Sequence, residues 1–532
     1  SNSKPKNKVS KLKLPDSTIT DSKDIAEAFN SYFCSVAGKL KDEIPSSNHR
    51  FLPNFKHVHN SIFLKPCTET EISDIVKNLN NSATSDYNST VFKRVFQSTQ
   101  LPEILCQTIN ASLNYGIFPD LLKTAKVVPI HKAGSRSDVA NYRPISLLSV
   151  FSKIYEKVMY ARLTSFFDSN NSIYSRQYGF RSQHSCEHAL MDAQNTILKT
   201  LNNKHIALLL LIDFSKAFDM VDHGILLSKL AGYGIRGAAL SWLESYLSNR
   251  TQYVNVNCTN SSSLKLLYGV PQGSILGPLL FVIYINDLPS ICPDVHFILY
   301  ADDANIIVTG TDLADIKTKI NHLLIKLQEW VNLNSLKLNV KKTHYMIFSN
   351  AKNKKEFNLN LKLNSEVIFQ SHEERFLGVI MDDKLSWVSH RAAIRTRISR
   401  NAGIFFRARH MFKTKTLKSL YFSFIQAHLV FCCSIWGIGS KNSLRDIFVA
   451  QKRAVRAISF TKLYTKNEET QAYSYGHTKP IFKALGILTI HNLILTQLLS
   501  QMHKIYSLSA PVYTRSLFSA HYPPSPEPVW VS

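Results

Sequence analysis

Two groups of carboxylates stand where apolar runs stop. Asp213 closes the run Ile206 to Ile212, and Asp302-Asp303 falls between His296–Tyr300 and Ala304–Thr309. An Asp pair between two strand-like runs reads first as the tip of a β-hairpin, because Asp tolerates unusual backbone angles and bonds to nearby amides. Carboxylates at strand ends also suit a second task. They can hold two divalent cations for phosphoryl transfer, where negative charge develops on both the attacking and the leaving oxygen. Asp219 and Asp222 follow Asp213 closely, but they lie on a turn or helix start, where N-capping accounts for them. The nineteen histidines form no H-E-x-x-H pattern and the eight cysteines no C-x-x-C pair, so neither a zinc site nor a disulfide framework is expected.

The elements that must position these acids follow from periodicity and punctuation. Ile206 to Asp213 is an apolar run of strand length, led into by a helix over Cys186–Leu201, with another helix over Ser152–Phe167. Lys126 to Ile130, the turn Lys132-Ala133-Gly134 and Tyr142-Arg143-Pro144-Ile145 make a hairpin carrying cations. Strands are expected at Gln252–Asn257 and Leu264–Gly269. The loop Gly269-Val270-Pro271-Gln272-Gly273-Ser274 then opens an apolar helix from Leu279 to Leu288. Leu313, Ile316, Ile320, Leu323, Leu324, Leu327, Trp330 and Val331 share one helical face. Strands follow at Thr343–Phe348, Leu359–Leu363 and Arg375–Ile380. Upstream, helices are expected from Ile25 to Val36 with Asp21 as N-cap, from Glu69 to Leu79 behind a Thr, and over Pro102–Tyr115. Beyond Lys384 the chain reads as helical and basic, with Arg391, Arg395, Arg397, Arg400, Arg407 and Arg409 close together.

Composition bounds the setting. At 532 residues and 45% hydrophobic, the chain is long enough for several subdomains with substantial cores. Its 63 Lys and Arg against 38 Asp and Glu give +25, a field that favours a polyanionic partner. No apolar run reaches the roughly 18 residues of a membrane span. The scattered cysteines and the lack of a secretory signal point to the nucleus and cytoplasm rather than secretion.

Several motifs in one order carry a resemblance: Asn141-Tyr142-Arg143-Pro144-Ile145, Gln177-Tyr178-Gly179-Phe180-Arg181, Asp213 to Asp219, Gly269 to Pro278, Ile285-Asn286-Asp287-Leu288-Pro289 and Tyr300-Ala301-Asp302-Asp303. The chain resembles the reverse transcriptases of non-LTR retrotransposons, most closely the jockey-like kind, over roughly residues 20 to 500. The resemblance implies an α+β right-hand polymerase with fingers, a palm built on an antiparallel sheet and a helical thumb. It implies a linker over 1–20, a helical N-terminal extension over 21–111, the reverse transcriptase domain over 112–382, thumb and C-terminal region over 383–510, and a Pro-rich disordered tail over 511–532.

The implied activity is RNA-directed DNA synthesis, with dNTPs, an RNA template, and a DNA primer drawn from a nicked target. It further implies a ribonucleoprotein, and an endonuclease domain encoded upstream. The implied cofactor is a pair of Mg²⁺ ions, with Mn²⁺ able to substitute. They would be held by Asp213, Asp302 and Asp303, with the Phe214 carbonyl as an extra ligand. Phe218 matches the aromatic that excludes a ribose 2′-hydroxyl, Lys132 and Arg143 the cations that meet the triphosphate, and Gln272-Gly273 the loop touching nucleotide and template. Lys342 resembles the lysine that protonates leaving pyrophosphate, with Lys341 a competitor for that place. Phe376-Leu377-Gly378 resembles the primer-grip hairpin. The alternative from another class is a catalytically inactive nucleic-acid-binding relic of a mobile element, told apart by primer extension.

Overall fold

The run Ile206–Asp213 is apolar at almost every position because both of its faces are covered, as continuous rather than alternating strands require. It is the middle strand of a five-stranded sheet ordered Phe369–Gln370, His344–Phe348, Ile206–Asp213, Asp303–Gly310, His296–Tyr300. Successive residues point to opposite faces, so this one strand feeds two cores. Leu208, Leu210 and Ile212 enter a core shared with the helices Val150–Ser169, Leu276–Tyr284 and Leu313–Leu333. Ala207 and Leu209 enter a second one, shared with the helix Cys186–Asn202 and the C-terminal helices. The computed structural model from which this is read describes residues 9–14, 17–45, 57–79, 89–97, 100–350, 359–363, 366–459, 464–466, 473–475 and 477–519.

A second sheet stands beside the first. Thr124–His131 pairs antiparallel with Tyr142–Leu147 and parallel with Thr251–Val256, which in turn pairs with the short strands Thr259–Asn260 and Leu264–Lys265. The N-terminal helix Ser22–Asp42 lies on this sheet. Asp21 caps it, accepting from the amides of Lys23 and Asp24, and Phe29 and Ile25 are fully buried beside Tyr142 and Val254.

C-terminal to the sheets, Val388–Ala408 packs along Arg445–Ser459, and a π-helical turn interrupts the helices at Phe422–Gln426. Among the described residues no single helix is long and apolar enough to cross a membrane, although the pair Lys479–Leu485 and Ile490–Tyr506, bent by 51°, passes by length and composition together.

Several expectations need correction. Arg375–Ile380 is not one strand: Leu377 and Gly378 take φ of 46° and 88°, folding the segment into the hairpin Glu373–Phe376 and Val379–Asp382. Leu264–Gly269 pairs only at Leu264–Lys265, because Gly269 bonds instead to the Val221 carbonyl. Leu359–Leu363 is a strand only at Lys362–Leu363. The apolar helix starts at Leu276, because the buried Glu156 carboxylate accepts from the Ile275 and Leu276 amides and caps it there.

Part of the expected linker is packed: Leu12–Lys13 pairs with Thr18–Ile19 and Leu12 is fully buried. The expected tail begins with a helix, Val512–Ser519, whose Tyr513 ring meets His296 and the Arg176 guanidinium; residues 520–532 lie outside the described residues, as do 1–8.

One buried imidazole ties the second hairpin to the C-terminal helices. His390 Nδ1 accepts from the Ile380 amide at 3.2 Å, and its ring meets Trp436 edge-on. Burial, then Arg375, Arg397 and Arg391, push its pKa from 6.5 down to about 4. The unfolded chain therefore takes up a proton near pH 6.5 that the folded chain refuses until about pH 4. Stability is expected to hold above pH 6.5 and to fall as pH drops from there toward 4. Thermal melts at pH 7.5 and 5 should show the drop, and His390→Gln should reduce it.

Candidate active site

The acid pair sits at the tip of a hairpin whose loop is two residues long. Asp303 pairs with Tyr300, leaving only Ala301 and Asp302 to turn the chain, and Ala301 takes φ 56°. Positive φ is what the tightest hairpin loops require, and a non-Gly residue holding it marks a place where structure over-determines the backbone. On the other side, Asp303 lies directly opposite Asp213 across the antiparallel ladder. Three carboxylates thus meet where two neighbouring inner strands of the sheet end.

Their electrostatics show an uncompensated cluster. Burial, then Asp302 and Asp213, push the Asp303 carboxyl up to about 6, with Lys132 pulling the other way. Asp302 is likewise raised by burial and by Asp213, against Arg143 and Lys132. Both residues keep solvent-exposed surface although the protein packed around them penalises their charge. Lys132 and Arg143 face the cluster from the outer sheet, Arg143 in register with Ile130 and the Lys132 amide bonded to the Asn141 carbonyl. Burial, then Lys342 and Arg143, hold the Lys132 ammonium below its usual value while Asp213 and Asp302 draw it up.

The structure also separates the adjacent lysines. Ser215 N–H donates to the Lys337 carbonyl and Asn339 N–H to the Asp213 carbonyl, zipping residues 337–339 onto the strand end; the Phe214 carbonyl takes no part in that pairing. The following turn, Val340–Lys342, brings Lys342 Nζ to 3.6 Å from Asp213 Oδ2. It is Lys342, not Lys341, that the fold pairs with the acid.

The Gly269–Gly273 loop is fastened on both sides. Val270 N–H donates to the Phe218 carbonyl, and Ser146 N–H donates to the Gln272 carbonyl. Gly273 adopts φ 132°, and a Cβ there would run into the Ser146 carbonyl. Gln272 Nε2 donates to Asp219 Oδ1 at 2.8 Å.

The two acids read as N-caps therefore part company. Asp222 caps the helix His223–Gly232 and pairs with Lys41, whereas Asp219 caps nothing and holds the Gln272 side chain. Burial raises Asp219 to about 6. Sequence spacing could not have shown this partnership, since Gln272 lies on a separate loop. Phe218 is half-buried and stacks on Phe281 at 4.8 Å. Phe376-Leu377-Gly378 forms the turn of its own two-stranded hairpin, with Phe376 buried and Gly378 facing the Phe431 ring, and it shares no described contact with the acids.

The chain that brings these acids, cations and glycine loop together is similar in sequence to known proteins. Residues 130–381 match the family described as Reverse transcriptase (RNA-dependent DNA polymerase), and this part of the chain is a reverse transcriptase domain. Around it, the chain is 29% identical over 384 residues to the RNA-directed DNA polymerase from mobile element jockey of Drosophila melanogaster, covering 70% of this chain and 41% of that protein. It is 28% identical over 427 residues to a probable RNA-directed DNA polymerase from transposon BS of the same fly, covering 76% and 46%. A third relative, the probable RNA-directed DNA polymerase from transposon X-element, is 26% identical over 415 residues, covering 76% and 45%. The chain thus spans less than half the length of these relatives.

Proposed function

We infer that the chain is an RNA-directed DNA polymerase of a non-LTR retrotransposon, extending a primer 3′-hydroxyl with dNTPs on an RNA template. One observation carries this reading: Asp213 and Asp303 lie opposite each other beside Asp302 at exposed strand ends, and burial, then the neighbouring carboxylates, raises Asp302 and Asp303 above the usual carboxylate range. Hard oxygen donors with unrelieved negative charge fit Mg²⁺, or Mn²⁺ in its place. Among the described residues no group of three or more His, Cys, Asp or Glu is set to hold a metal ion by itself. Mg²⁺ is commonly held by one or two carboxylates together with substrate phosphates and water. When bound, two such ions supply charge stabilisation at the attacking and leaving oxygens.

The chain's own groups do the rest. Asp213, Asp302 and Asp303 hold the ions, and the Phe214 carbonyl, outside the strand pairing, is free to add a ligand. Lys132 and Arg143 meet the triphosphate, the lysine as a point charge and the arginine through paired N–H donors. Asp219 holds Gln272 in the orientation in which the loop meets the nucleotide, and Gly273 lets the backbone come close. Lys342 Nζ stands at the rim of the acids, placed to pass a proton to the departing pyrophosphate oxygen. Phe376-Leu377-Gly378 would guide the primer. The nicked DNA primer, the upstream endonuclease domain and a ribonucleoprotein of nucleus and cytoplasm belong to the same proposal.

The test is Mg²⁺-dependent incorporation of dTTP on poly(rA) primed with oligo(dT); binding of the primer–template without extension would sink the reading. Phe218 gives it a second edge. Phe218→Val opens the space beneath the sugar, and the preference for deoxyribonucleotides over ribonucleotides is expected to fall roughly 10- to 100-fold, read as the ratio of kcat/KM values.

A further inference from the structure

The catalytic hairpin's outer strand, His296–Tyr300, is the last strand of its sheet, so its outward backbone groups need partners from elsewhere. Residues 176–179 supply them. Leu299 N–H donates to the Arg176 carbonyl at 3.0 Å, and Tyr178 N–H donates back to the Leu299 carbonyl at 2.8 Å. The same short segment reaches the loop itself. Gln177 Oε1 accepts from Gly179 N–H at 2.9 Å and from Ala301 N–H at 3.3 Å. Gln177 is 1% exposed, and its Nε2 has no hydrogen-bond partner. The side chain is thus buried for what its oxygen does.

The segment is fixed from behind. Tyr178 Oη donates to Asp192 Oδ2 at 2.9 Å, and Asp192, fully buried, also holds His296 Nε2 at 2.8 Å, at the far end of the same strand. Nor is there slack at Gly179: a Cβ there would collide with the Ala301 amide nitrogen and come within 2.9 Å of the Tyr300 carbonyl carbon. Ala301 therefore keeps its positive φ under two constraints, a hydrogen bond to its N–H and a backbone pressed against it.

We propose that Gln177 is a positioning residue for catalysis: one amide oxygen, shared between Gly179 and Ala301, fixes the loop that aims Asp302. The proposal rests on the polymerase reading for its catalytic consequence but not for the bond itself. Gln177→Met keeps the volume and removes the acceptor. Gln177→Glu keeps an oxygen able to accept both bonds, and in so buried a place its carboxyl is expected to stay protonated rather than strand a charge beside Asp302.

In the full chain, Gln177→Met is expected to lower kcat for dTTP incorporation about 10- to 100-fold, since misplacement by an ångström or less carries losses of that size. KM for dTTP and primer–template affinity should stay within about twofold. Hydrogen–deuterium exchange at the Ala301 amide is expected to speed up at least tenfold in Gln177→Met, while Gln177→Glu should keep most of kcat and of the protection. Unchanged exchange in Gln177→Met, or faster exchange with unaltered kcat, overturns the proposal. Exchange sped equally in both variants also overturns it, because an acceptor oxygen would then make no difference to the loop. Failure of the wild-type chain to extend primer would fell the polymerase reading separately, and the exchange comparison would still decide whether Gln177 restrains the loop.

Discussion

Asp302→Asn is expected to abolish primer extension to within on the order of one-thousandth of the wild-type rate, with primer–template binding and thermal stability nearly intact. The amide is isosteric, and the side chain is open to solvent on a two-residue loop, so the fold loses nothing by the change. What goes is one negative charge at the point where cations must be held against two substrate oxygens, worth several kcal/mol in the transition state. Removing the charge also relieves its neighbour: Asp302 is, after burial, the largest cause of the raised Asp303 carboxyl. The Asp303 pKa should accordingly fall toward ordinary carboxylate values in Asp302→Asn, a shift readable by NMR titration without metal. Steady extension by Asp302→Asn would contradict the site; lost binding would show that the charge shapes the cleft rather than the chemistry.

The largest expected effect on stability lies elsewhere. Lys229 and Asp287 are buried to within 1% and pair at 2.6 Å, with Lys229 also donating to the Tyr284 carbonyl. The ammonium lies over the rings of Tyr284 and Trp330. Burial holds it below its usual pKa, Asp287 pulling the other way. Asp287 Oδ2 has no partner, so the lysine is its compensation. Lys229→Met would strand the carboxylate in an apolar core and is expected to cost about 3–5 kcal/mol in urea unfolding. The double variant Lys229→Met with Asp287→Leu should regain most of that loss, because two apolar residues leave no stranded charge. Equal losses in single and double variants would show that the pair contributes through shape alone.

Much of this architecture was legible because the signals were local. The run Ile206 to Asp213, the hairpin about Asp302-Asp303, the N-cap Asp21 and the Leu313–Val331 face each announce themselves within a dozen residues, and each stands where it was read. What the sequence hid was long-range. Nothing near Asp219 shows that its partner is Gln272, nothing near Glu156 shows that it ends the approach to a helix at Leu276, and nothing distinguishes Lys342 from Lys341 until residues 337–339 zip onto the Asp213 strand. The misread strand Arg375–Ile380 failed for another reason: its apolar periodicity continues through a turn that only the backbone angles of Leu377 and Gly378 reveal.

The direct opposition of Asp213 and Asp303 carries a last consequence. Strand side chains alternate with a period of two, so sliding one strand by a single residue would carry Asp303 to the other face of the sheet. The site is therefore specified by counting as much as by chemistry: eight paired positions from Gly310 to Asp303 set where the acid falls. Among drifting copies of such a gene, a changed letter within Asp303–Gly310 leaves that count intact. A gained or lost codon there shifts Asp303 against the rest of its strand, so the acid and the remaining pairs can no longer all keep their partners.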